Sequence, residues 1–531
     1  MNNNITPRLI LSGAIFVAAF AAHAAAAPTV PTTPPIAPGP FTFTQESLKS
    51  FQCPDWFRDA KFGIWAHWGP QAVPMAGDWY ARHMYTDDNK RGQYQHHLDT
   101  YGHPSTQGWK DVIPLWKAEK FDPDRLMTLY KAAGARYFVS MGVHHDNFDL
   151  WNSKHHKWNA VQMGPKRDIV GDWQKAAKKQ GLPFGVSEHL GASFWWWQVN
   201  KGADKAGPKA GVPYDGNDPK FEDLYHWKAA SDDTTRWYSS DPRWHQAWFK
   251  RIKDLVDSYQ PDLLYTDGGV PFGEVGRSLI AHYYNADLQR RGKLGAVYTC
   301  KEMKNNNGEF IAGSYVQDME RGVLPGINPL PWQTDTSIGD WFYNKNWKTK
   351  DTGKMYRTAD WVVRTLADIV SKNGNLLLNV IQRPDGSLDA EVEQLLVEVG
   401  AWMKANGEAI YGTRPWLNYG EGATKVDGGH FKEDFAFSAR DIRFTTKGKT
   451  LYAIALGWPE NGRITIQSLA QPAGTKINQV KRVDLLGYEG KLTFIQGASG
   501  LVVTLPGTPV SRIAISLKIS GDDLRPAEVA K

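Results

Sequence analysis

Six side chains that could bind or cleave a polar substrate each lie at or near the end of a short predicted strand. They are three histidines and three carboxylates: His67, His144, His145, Glu188, Asp267 and Glu320. Short apolar runs that end at polar residues or glycine are typical of buried strands. If the strands are parallel and share one sheet, their carboxyl ends meet at one edge, and the six side chains lie together there.

A pair of carboxyl groups is what the hydrolysis of a glycosidic bond requires. One attacks the sugar or activates water, and the other protonates the leaving oxygen. Asp267 ends the apolar run 262–266 and precedes Gly268 and Gly269, so a strand would fix its carboxylate. We expect the two glycines to let a substrate approach without a Cβ clash. The candidate acids are Glu188, Glu302, Glu309 and Glu320.

Pairs of adjacent histidines, at 96–97, 144–145 and 155–156, raise the question of a metal site. Neighbouring residues of a strand point to opposite faces, and no carboxylate–histidine spacing of the zinc type accompanies the pairs. We therefore predict no metal and no cofactor, and we expect His144 and His145 to bind substrate hydroxyls. Phosphate-loop, dinucleotide-binding and Gly-x-Ser-x-Gly patterns are also missing from the sequence.

The elements that must position these residues alternate between helix and strand from residue 50 to about 405. Helical periodicity covers 124–133, 168–180, 243–259, 274–291, 357–372 and 388–406. The predicted strands are 61–68, 135–143, 182–187, 261–266, 294–299, 313–316 and 375–380. This alternation predicts an α/β fold, a (β/α)8-like TIM barrel, with the candidate residues at the carboxyl-terminal mouth of the barrel.

The pattern changes after Tyr411 to short alternating segments that are separated by turns such as 459–462. Such segments are typical of an antiparallel β-sandwich. We therefore assign residues 46–411 to a catalytic barrel and residues 412–531 to a C-terminal β-sandwich domain.

The first residues predict export. Arg8, the apolar run 9–20 and the small residues around position 23 are typical of a signal peptide, which we place at 1–26. Residues 27–45 are rich in Ala, Pro and Thr and predict a flexible leader. We expect a periplasmic or extracellular protein with no membrane span. Export would permit a disulfide between Cys53 and Cys300, and the sequence leaves that pairing open.

Charge and composition narrow the choice of partners. The net charge is +6, but the Lys and Arg residues are spread along the chain, which predicts a solvated surface and no nucleic-acid partner. The 23 tryptophans are unusually many, and flat aromatic faces suit stacking on sugar rings. The oligomeric state is left open.

Several motifs in chain order carry a resemblance to a known family. They are the segments 56–69, 78–80, 134–148, 165–168, 262–268 and 372–380, followed by Asp385-Gly386. Together they resemble the α-L-fucosidases of glycoside hydrolase family 29. The resemblance implies an exo-acting, retaining hydrolase that removes terminal α-linked L-fucose from fucosylated oligo- or polysaccharides by double displacement.

The resemblance also implies roles for individual residues. Asp267 is expected to be the nucleophile. The acid/base of the family lies some tens of residues after the nucleophile and shortly before a Trp-Glu pair, which favours Glu320, with Glu188 as the alternative. The expected substrate-binding residues are His67, Asp78, Trp79, His144, His145 and Trp332.

The sequence departs from the family pattern around the expected pocket. Asp78 stands where Glu is usual, Asn147 where Gly is usual, and Gln333 where Glu is usual. These changes leave two alternatives open. One is an α-L-galactosidase-type activity at the same site, and the other is a non-catalytic fucose-binding protein. Linkage and aglycone specificity also stay open.

Overall fold

The computed structural model describes residues 35–87, 91–231, 233–303, 307–471 and 479–524, with residues 1 and 474. The predicted signal peptide therefore lies outside the described residues, except for Met1. No helix in the described ranges is both long enough and apolar enough to cross a membrane.

Eight parallel strands close into a barrel in the order of the chain. They are β1 (Phe62–Ala66), β2 (Tyr137–Val143), β3 (Phe184–Glu188), β4 (Leu263–Thr266), β5 (Val297–Lys301), β6 (Val316–Glu320), β7 (Trp332–Ser337) and β8 (Gly374–Asn379). Gly63 in β1 lies opposite Tyr137 in β2 and Leu377 in β8, which closes the sheet. The predicted barrel is confirmed.

Within the described ranges, six long helices cover the barrel. They are Pro123–Ala132, Ile169–Lys179, Pro242–Tyr259, Glu274–Arg291, Ala359–Ser371 and Ala390–Asn406. Shorter helices lie at Gln45–Leu48, Asp55–Ala60, Tyr80–His83, Gln93–Thr100, Trp109–Val112, Ser193–Trp196 and Glu222–Tyr225. Among the long helices, side-chain caps fix several starts. Asp122, Asp168, Asp241 and Thr358 each accept a hydrogen bond from a first-turn amide.

The strand β7 is missing from the sequence prediction, and its composition explains why. Its six residues are Trp-Gln-Thr-Asp-Thr-Ser, so it has no apolar run. The polar side chains find partners inside the barrel instead. The hydroxyl of Tyr137 donates to Gln333 at 2.9 Å, and the hydroxyl of Tyr265 donates to Asp335 at 3.1 Å. A polar strand of this kind is buried because its groups are paired.

The C-terminal strands form two antiparallel sheets. The larger sheet contains β9 (Arg414–Glu421), β10 (Ile442–Lys447), β11 (Thr450–Ala455), β13 (Val480–Leu485) and β16 (Ile515–Gly521), and the smaller contains β12 (Arg463–Ile466), β14 (Thr493–Gly497) and β15 (Gly500–Thr504). Leu451 and Leu517 of the larger sheet share an apolar core with Ile466 and Val503 of the smaller. The predicted β-sandwich is confirmed, with β9 as an additional strand.

Residues 35–45 of the predicted flexible leader are held against the barrel, contrary to the prediction. Phe41 is buried, and the Asn285 amide accepts a hydrogen bond from the Phe41 amide and donates to the carbonyls of Ala37 and Phe41. The Ala37 amide also donates to His282. These contacts fix this stretch on the helix Glu274–Arg291.

The two cysteines are not joined in the structure. Cys300 lies in β5 and is buried, and Cys53 is partly buried. Burial raises the pKa of the Cys53 thiol to about 12, so this thiol stays protonated near neutral pH.

Candidate active site

A cavity of about 840 Å³ opens at the carboxyl-terminal mouth of the barrel. The structure brings most of the residues predicted from the sequence to this one cavity. Its lining includes His67, Asp78, Trp79, His144, His145, Asp267 and Glu320. Glu188 and Trp332 are not among the lining residues. A single concave site with several polar groups is the usual form of a small-ligand site.

Asp267 is held by the backbone around it. Its amide donates to the carbonyl of Glu188 at 3.0 Å, and the hydroxyl of Tyr238 lies 2.9 Å from the carbonyls of both Asp267 and Gly269. Packing around both glycines leaves no room for a Cβ. A Cβ at Gly268, whose φ is +92°, would lie 2.5 Å from the Tyr238 hydroxyl, and one at Gly269 would meet the backbone of residues 307–309.

Cationic and hydrogen-bonding side chains surround the Asp267 carboxylate, and the closest are those of Lys301, His145 and His189. The Lys301 ammonium donates to Oδ1 at 2.6 Å, and His145 Nε2 and His189 Nδ1 each lie 3.2 Å from Oδ2. Burial opposes ionisation, but Lys301 and the two histidines outweigh it and hold the pKa of Asp267 well below its usual range. Asp267 is therefore an ionised carboxylate that faces the cavity.

Lys301 joins Asp267 to the second carboxyl group. Its Nζ lies 2.6 Å from Asp267 Oδ1 and 2.9 Å from Glu320 Oε2. The sum of these distances, 5.5 Å, is the largest separation that the two oxygens can have. Retaining glycosidases place their two carboxyl groups about 5–5.5 Å apart, and inverting enzymes place them farther apart. The upper limit of 5.5 Å is shorter than the separation in inverting enzymes, so the arrangement is compatible with the retaining class.

The Glu320 carboxyl group has the properties of an acid. Burial raises its pKa to about 7, and the negative charges of Asp335 and Asp267 add to that effect, whereas Lys301 opposes it. The group therefore exchanges its proton near neutral pH. The adjacent Arg321 does not pair with it, because the guanidinium contacts the Glu433 carboxylate at 3.1 Å and the Gly339 carbonyl at 2.6 Å.

Glu188, the alternative acid, is enclosed in the barrel wall. Its side chain accepts hydrogen bonds from Thr266 at 2.7 Å, from the Leu190 amide at 2.9 Å and from the Trp248 indole at 3.2 Å. Burial raises the pKa of this carboxyl group to about 7 as well. The group is fully buried and does not line the cavity, so it has no path to a leaving oxygen.

The remaining histidines form one polar wall of the cavity. The Gln71 amide lies 2.7 Å from His144 Nδ1, and His144 Nε2 lies 3.9 Å from Asp78 Oδ1. Burial lowers the pKa of His67 and of His144 well below the usual value, so both rings are neutral. Burial, strengthened by the charge of Asp340, raises the pKa of Asp78. Neutral imidazoles both donate and accept, which suits sugar hydroxyls.

Trp79 and Trp237 form an aromatic wall of the cavity. Their rings stack at 6.0 Å with an interplanar angle of 24°, and Trp79 lies edge-on to His145. Trp79 has a left-handed backbone with φ of +61°, which turns the chain into the helix Tyr80–His83.

The expected substrate contact of Trp332 requires correction. This residue begins β7 at the amino end of the barrel, opposite the mouth. Its ring packs against Gly374, its indole donates to the Lys372 carbonyl at 2.9 Å, and its side chain is fully buried. Trp332 therefore packs the base of the barrel and is remote from the cavity.

Two sets of side chains in the described part of the chain are close enough to hold a metal ion. They are His67, His144 and His189, and His145, His189 and Asp267, with ligand atoms within 4.8 Å of one another in each set. The Lys301 ammonium beside Asp267 already supplies a positive charge at the second set. It therefore opposes a second cation there.

Sequence reasoning did not select Lys301, His189, Tyr265 and Asp335, which complete the site. Lys301 ends β5 and His189 follows β3, so a strand-end position was the available signal. Lysines near strand ends are commonly solvated, whereas Lys301 is 2% exposed and bridges several carboxylates. Asp335 lies in β7, the strand that the sequence did not reveal.

Known proteins are similar to this chain over most of its length. The family model described as alpha-L-fucosidase matches residues 29–408, and the model described as alpha-L-fucosidase C-terminal domain matches residues 436–519. The two matches leave residues 409–435 between them. Tissue alpha-L-fucosidase of Mus musculus is 29% identical over 482 residues, which cover 89% of this chain and 92% of that protein. Plasma alpha-L-fucosidase of Rattus norvegicus is 30% identical over 486 residues, which cover 88% and 91%.

Solved structures show the same similarity. The Thermotoga maritima alpha-fucosidase in complex with fucose has a TM-score of 0.69 and 28% identity, and the match covers 90% of this chain and 100% of that one. The same enzyme in complex with a mechanism-based inhibitor has a TM-score of 0.70 and 28% identity, and the match covers 91% and 100%.

Proposed function

Because this chain belongs to the α-L-fucosidase family, we propose that it is an exo-acting, retaining α-L-fucosidase that removes terminal α-linked L-fucose from fucosylated glycans. The observation that carries the proposal is the buried Lys301 ammonium, which touches both Asp267 and Glu320 in one cavity. Two carboxyl groups at this separation, one ionised and one able to hold a proton, are the requirement for retaining hydrolysis.

In the first step, the Asp267 carboxylate attacks the anomeric carbon of the terminal fucose. The bond from that carbon to the glycosidic oxygen breaks as the Asp267 ester forms, and Glu320 gives its proton to the departing oxygen. The low pKa of Asp267 and the raised pKa of Glu320 supply the two protonation states that this step needs.

In the second step, Glu320 acts as a base. Its carboxylate takes a proton from a water molecule, the water oxygen bonds to the anomeric carbon, and the Asp267 ester bond breaks. Glu320 is then protonated again and Asp267 is ionised again. Two displacements at the same carbon return the product to the configuration of the substrate.

His67, His144 and His145 are proposed to bind the fucose hydroxyls, with Trp79 as a wall of the pocket and Asp78 behind His144. The His145 Nδ1 nitrogen faces the His189 carbonyl at 2.6 Å and therefore carries hydrogen, which orients the ring toward Asp267. Family membership favours this reading over L-galactoside hydrolysis, and the paired carboxyl groups favour catalysis over binding alone.

Export is part of the proposal and rests on the sequence of residues 1–26. The mature chain is expected to begin shortly after Ala24. N-terminal sequencing of the protein recovered from the periplasm or medium tests this, and an intact Met1 there would contradict it.

The proposed function is tested with Asp267→Ala and an activated aryl α-L-fucoside. Turnover should fall by more than about a thousandfold, because the covalent intermediate cannot form. Added azide should restore part of it and yield fucosyl azide of inverted configuration, since azide attacks from the face that Asp267 vacates. Asp124→Ala, at an exposed helix start, is the control and should keep wild-type activity.

Product configuration in the wild-type enzyme, followed by NMR at early times, should be the same as that of the substrate. Wild-type turnover by Asp267→Ala, or inversion by the wild-type enzyme, would overturn the proposal.

A further inference from the structure

A segment between the barrel and the sandwich, residues 426–435, crosses the mouth of the barrel beside β6, and we refer to it as the mouth segment. The Gly429 amide donates to the Val323 carbonyl at 2.9 Å, and the Phe431 amide donates to the Glu320 carbonyl at 2.9 Å. A Cβ at Gly322 would lie 2.0 Å from the Gly429 carbonyl oxygen, so the two backbones are in close contact. The mouth segment is thus tied to the chain that carries Glu320.

Side chains of the mouth segment add to this attachment. His430 Nδ1 accepts a hydrogen bond from the Glu320 amide at 3.0 Å. Glu433 is buried and pairs with Arg321 at 3.1 Å and with Arg357 at 3.3 Å, and it accepts a hydrogen bond from Thr336 in β7. Charged groups with several partners of this kind are fixed in position. The mouth segment is therefore a rigid edge of the cavity.

Phe431 stands out on this rigid edge. Its ring lines the cavity, its side chain is 64% exposed, and its backbone has a left-handed φ of +59°. A bulky residue in that backbone region is disfavoured, and an exposed ring gains little from folding. Such a combination is more common where a ligand uses the residue.

The position of Phe431 relative to Glu320 identifies that ligand. In the proposed reaction, Glu320 protonates the oxygen that leaves with the sugar to which fucose was attached. The leaving sugar therefore lies on the Glu320 side of the cavity, away from Asp267. We propose that the Phe431 ring is the binding surface for this leaving-group sugar. Its electron-rich face attracts the C–H groups on one side of a pyranose ring.

This inference rests on the proposed function, and it is tested by two substrates that differ in the leaving group. The first is α-L-fucosyl fluoride, whose leaving group is fluoride and contains no sugar. The second is taken from a set of α-L-fucosyl-hexose disaccharides that differ in linkage, as the one that the wild-type enzyme cleaves fastest. Phe431→Asn removes the ring and tolerates the left-handed backbone, and Phe431→Tyr keeps the ring.

Phe431→Asn should lower kcat/KM for the disaccharide by about tenfold, which is the effect of about 1.4 kcal/mol, and should change kcat/KM for the fluoride by less than about twofold. Phe431→Tyr should keep wild-type values for both substrates. Equal losses on both substrates, no loss on the disaccharide, or a wild-type enzyme that cleaves the fluoride and no disaccharide would overturn the inference. A wild-type enzyme that cleaves neither substrate would instead overturn the proposed function.

Discussion

The charge of one lysine acts on both carboxyl groups of the cavity. Lys301 is buried, and three carboxylates, those of Asp267, Asp335 and Glu320, raise its pKa well above the usual value against the effect of burial. It therefore remains an ammonium ion over the whole working range of pH. Its positive charge stabilises the ionised form of both Asp267 and Glu320. It therefore lowers the pKa of Asp267, and it partly offsets the rise in the pKa of Glu320 that burial causes.

The pH dependence of the reaction follows from these shifts. For a disaccharide substrate, kcat/KM needs ionised Asp267 and protonated Glu320, so it should fall as the pH rises through about 7. At acid pH, kcat/KM should fall only below the usual pKa of an aspartate, because Lys301 and the two histidines lower the pKa of Asp267. Between the two limbs the activity should be constant.

Lys301→Met should move both limbs to higher pH, because the variant loses the charge that lowers both pKa values. The measurement is kcat/KM of the disaccharide against pH, with Lys179→Met, an exposed lysine on a helix surface, as the control for net charge. A shift of the alkaline limb to lower pH, or limbs that stay in place, would show that Lys301 has no such role.

At the scale of elements, the ends of β3 and β6 show that a position at the end of a strand does not determine whether a side chain faces the cavity. Both strands end on a glutamate, and burial raises the pKa of both carboxyl groups to about 7. The direction of the side chain separates them. Glu188 turns into the wall toward Thr266 and Trp248, whereas Glu320 faces the cavity. The pKa values alone do not identify which of the two glutamates is the acid.

This difference predicts opposite effects of the same substitution. Glu320→Gln should slow substrates with poor leaving groups strongly and spare activated aryl fucosides, whose leaving group needs no proton. Glu188→Gln should keep the leaving-group dependence of the wild type and lower the free energy of unfolding by about 1–3 kcal/mol, since one of the two buried oxygens that accept from Thr266, Leu190 and Trp248 becomes a donor. Leaving-group series and urea unfolding of both variants provide the test. The leaving-group effect in Glu188→Gln would reverse the assignment.

The composition of each strand explains how much of the fold could be predicted from the sequence. Six barrel strands were predictable because each is an apolar run of the length that a buried strand needs. The predicted strand 313–316 overlaps β6 only at Val316, because β6 reads Val-Gln-Asp-Met-Glu and has no apolar run. β7 could not be found this way, because its polar side chains are paired inside the barrel, as Gln333 is with Tyr137. β9 carries the residues Arg414–Glu421, and several of these are partly exposed, so apolar alternation is weak there. The roles of Asp335 and Lys301 could not be predicted either, because their partners lie on strands that are distant in the sequence.

At the scale of the whole molecule, the barrel and the sandwich share buried contacts. One apolar core includes Leu366 of a barrel helix and Ile454 of β11. The Trp402 indole donates to the Ala514 carbonyl at 2.9 Å. Within this contact, Asp368 of the helix Ala359–Ser371 pairs with Lys372 at 2.7 Å and with Arg443 of β10 at 2.6 Å.

The buried group contains two basic side chains and one carboxylate, so the stability of both basic side chains depends on Asp368. Asp368, Lys372 and Arg443 are each no more than 2% exposed, so two buried cations depend on one carboxylate. Removing one partner of a buried pair leaves an uncompensated charge, which costs about 3–5 kcal/mol, whereas exposed pairs contribute about 0–1 kcal/mol. The barrel and the sandwich are joined at this point, so the loss should appear in the unfolding of both.

Asp368→Asn should therefore lower the free energy of unfolding by about 3–5 kcal/mol. Asp360→Asn is the matched control, because Asp360 lies on the same helix and pairs with Arg364 at 3.0 Å, but its own side chain is 46% exposed and that of Arg364 is 24% exposed. It should change the free energy by less than about 1 kcal/mol. In the wild type, calorimetry should show one transition for barrel and sandwich together, and in Asp368→Asn the transition should broaden or divide. Equal stability of the two variants would show that the buried group does not hold the barrel and the sandwich together.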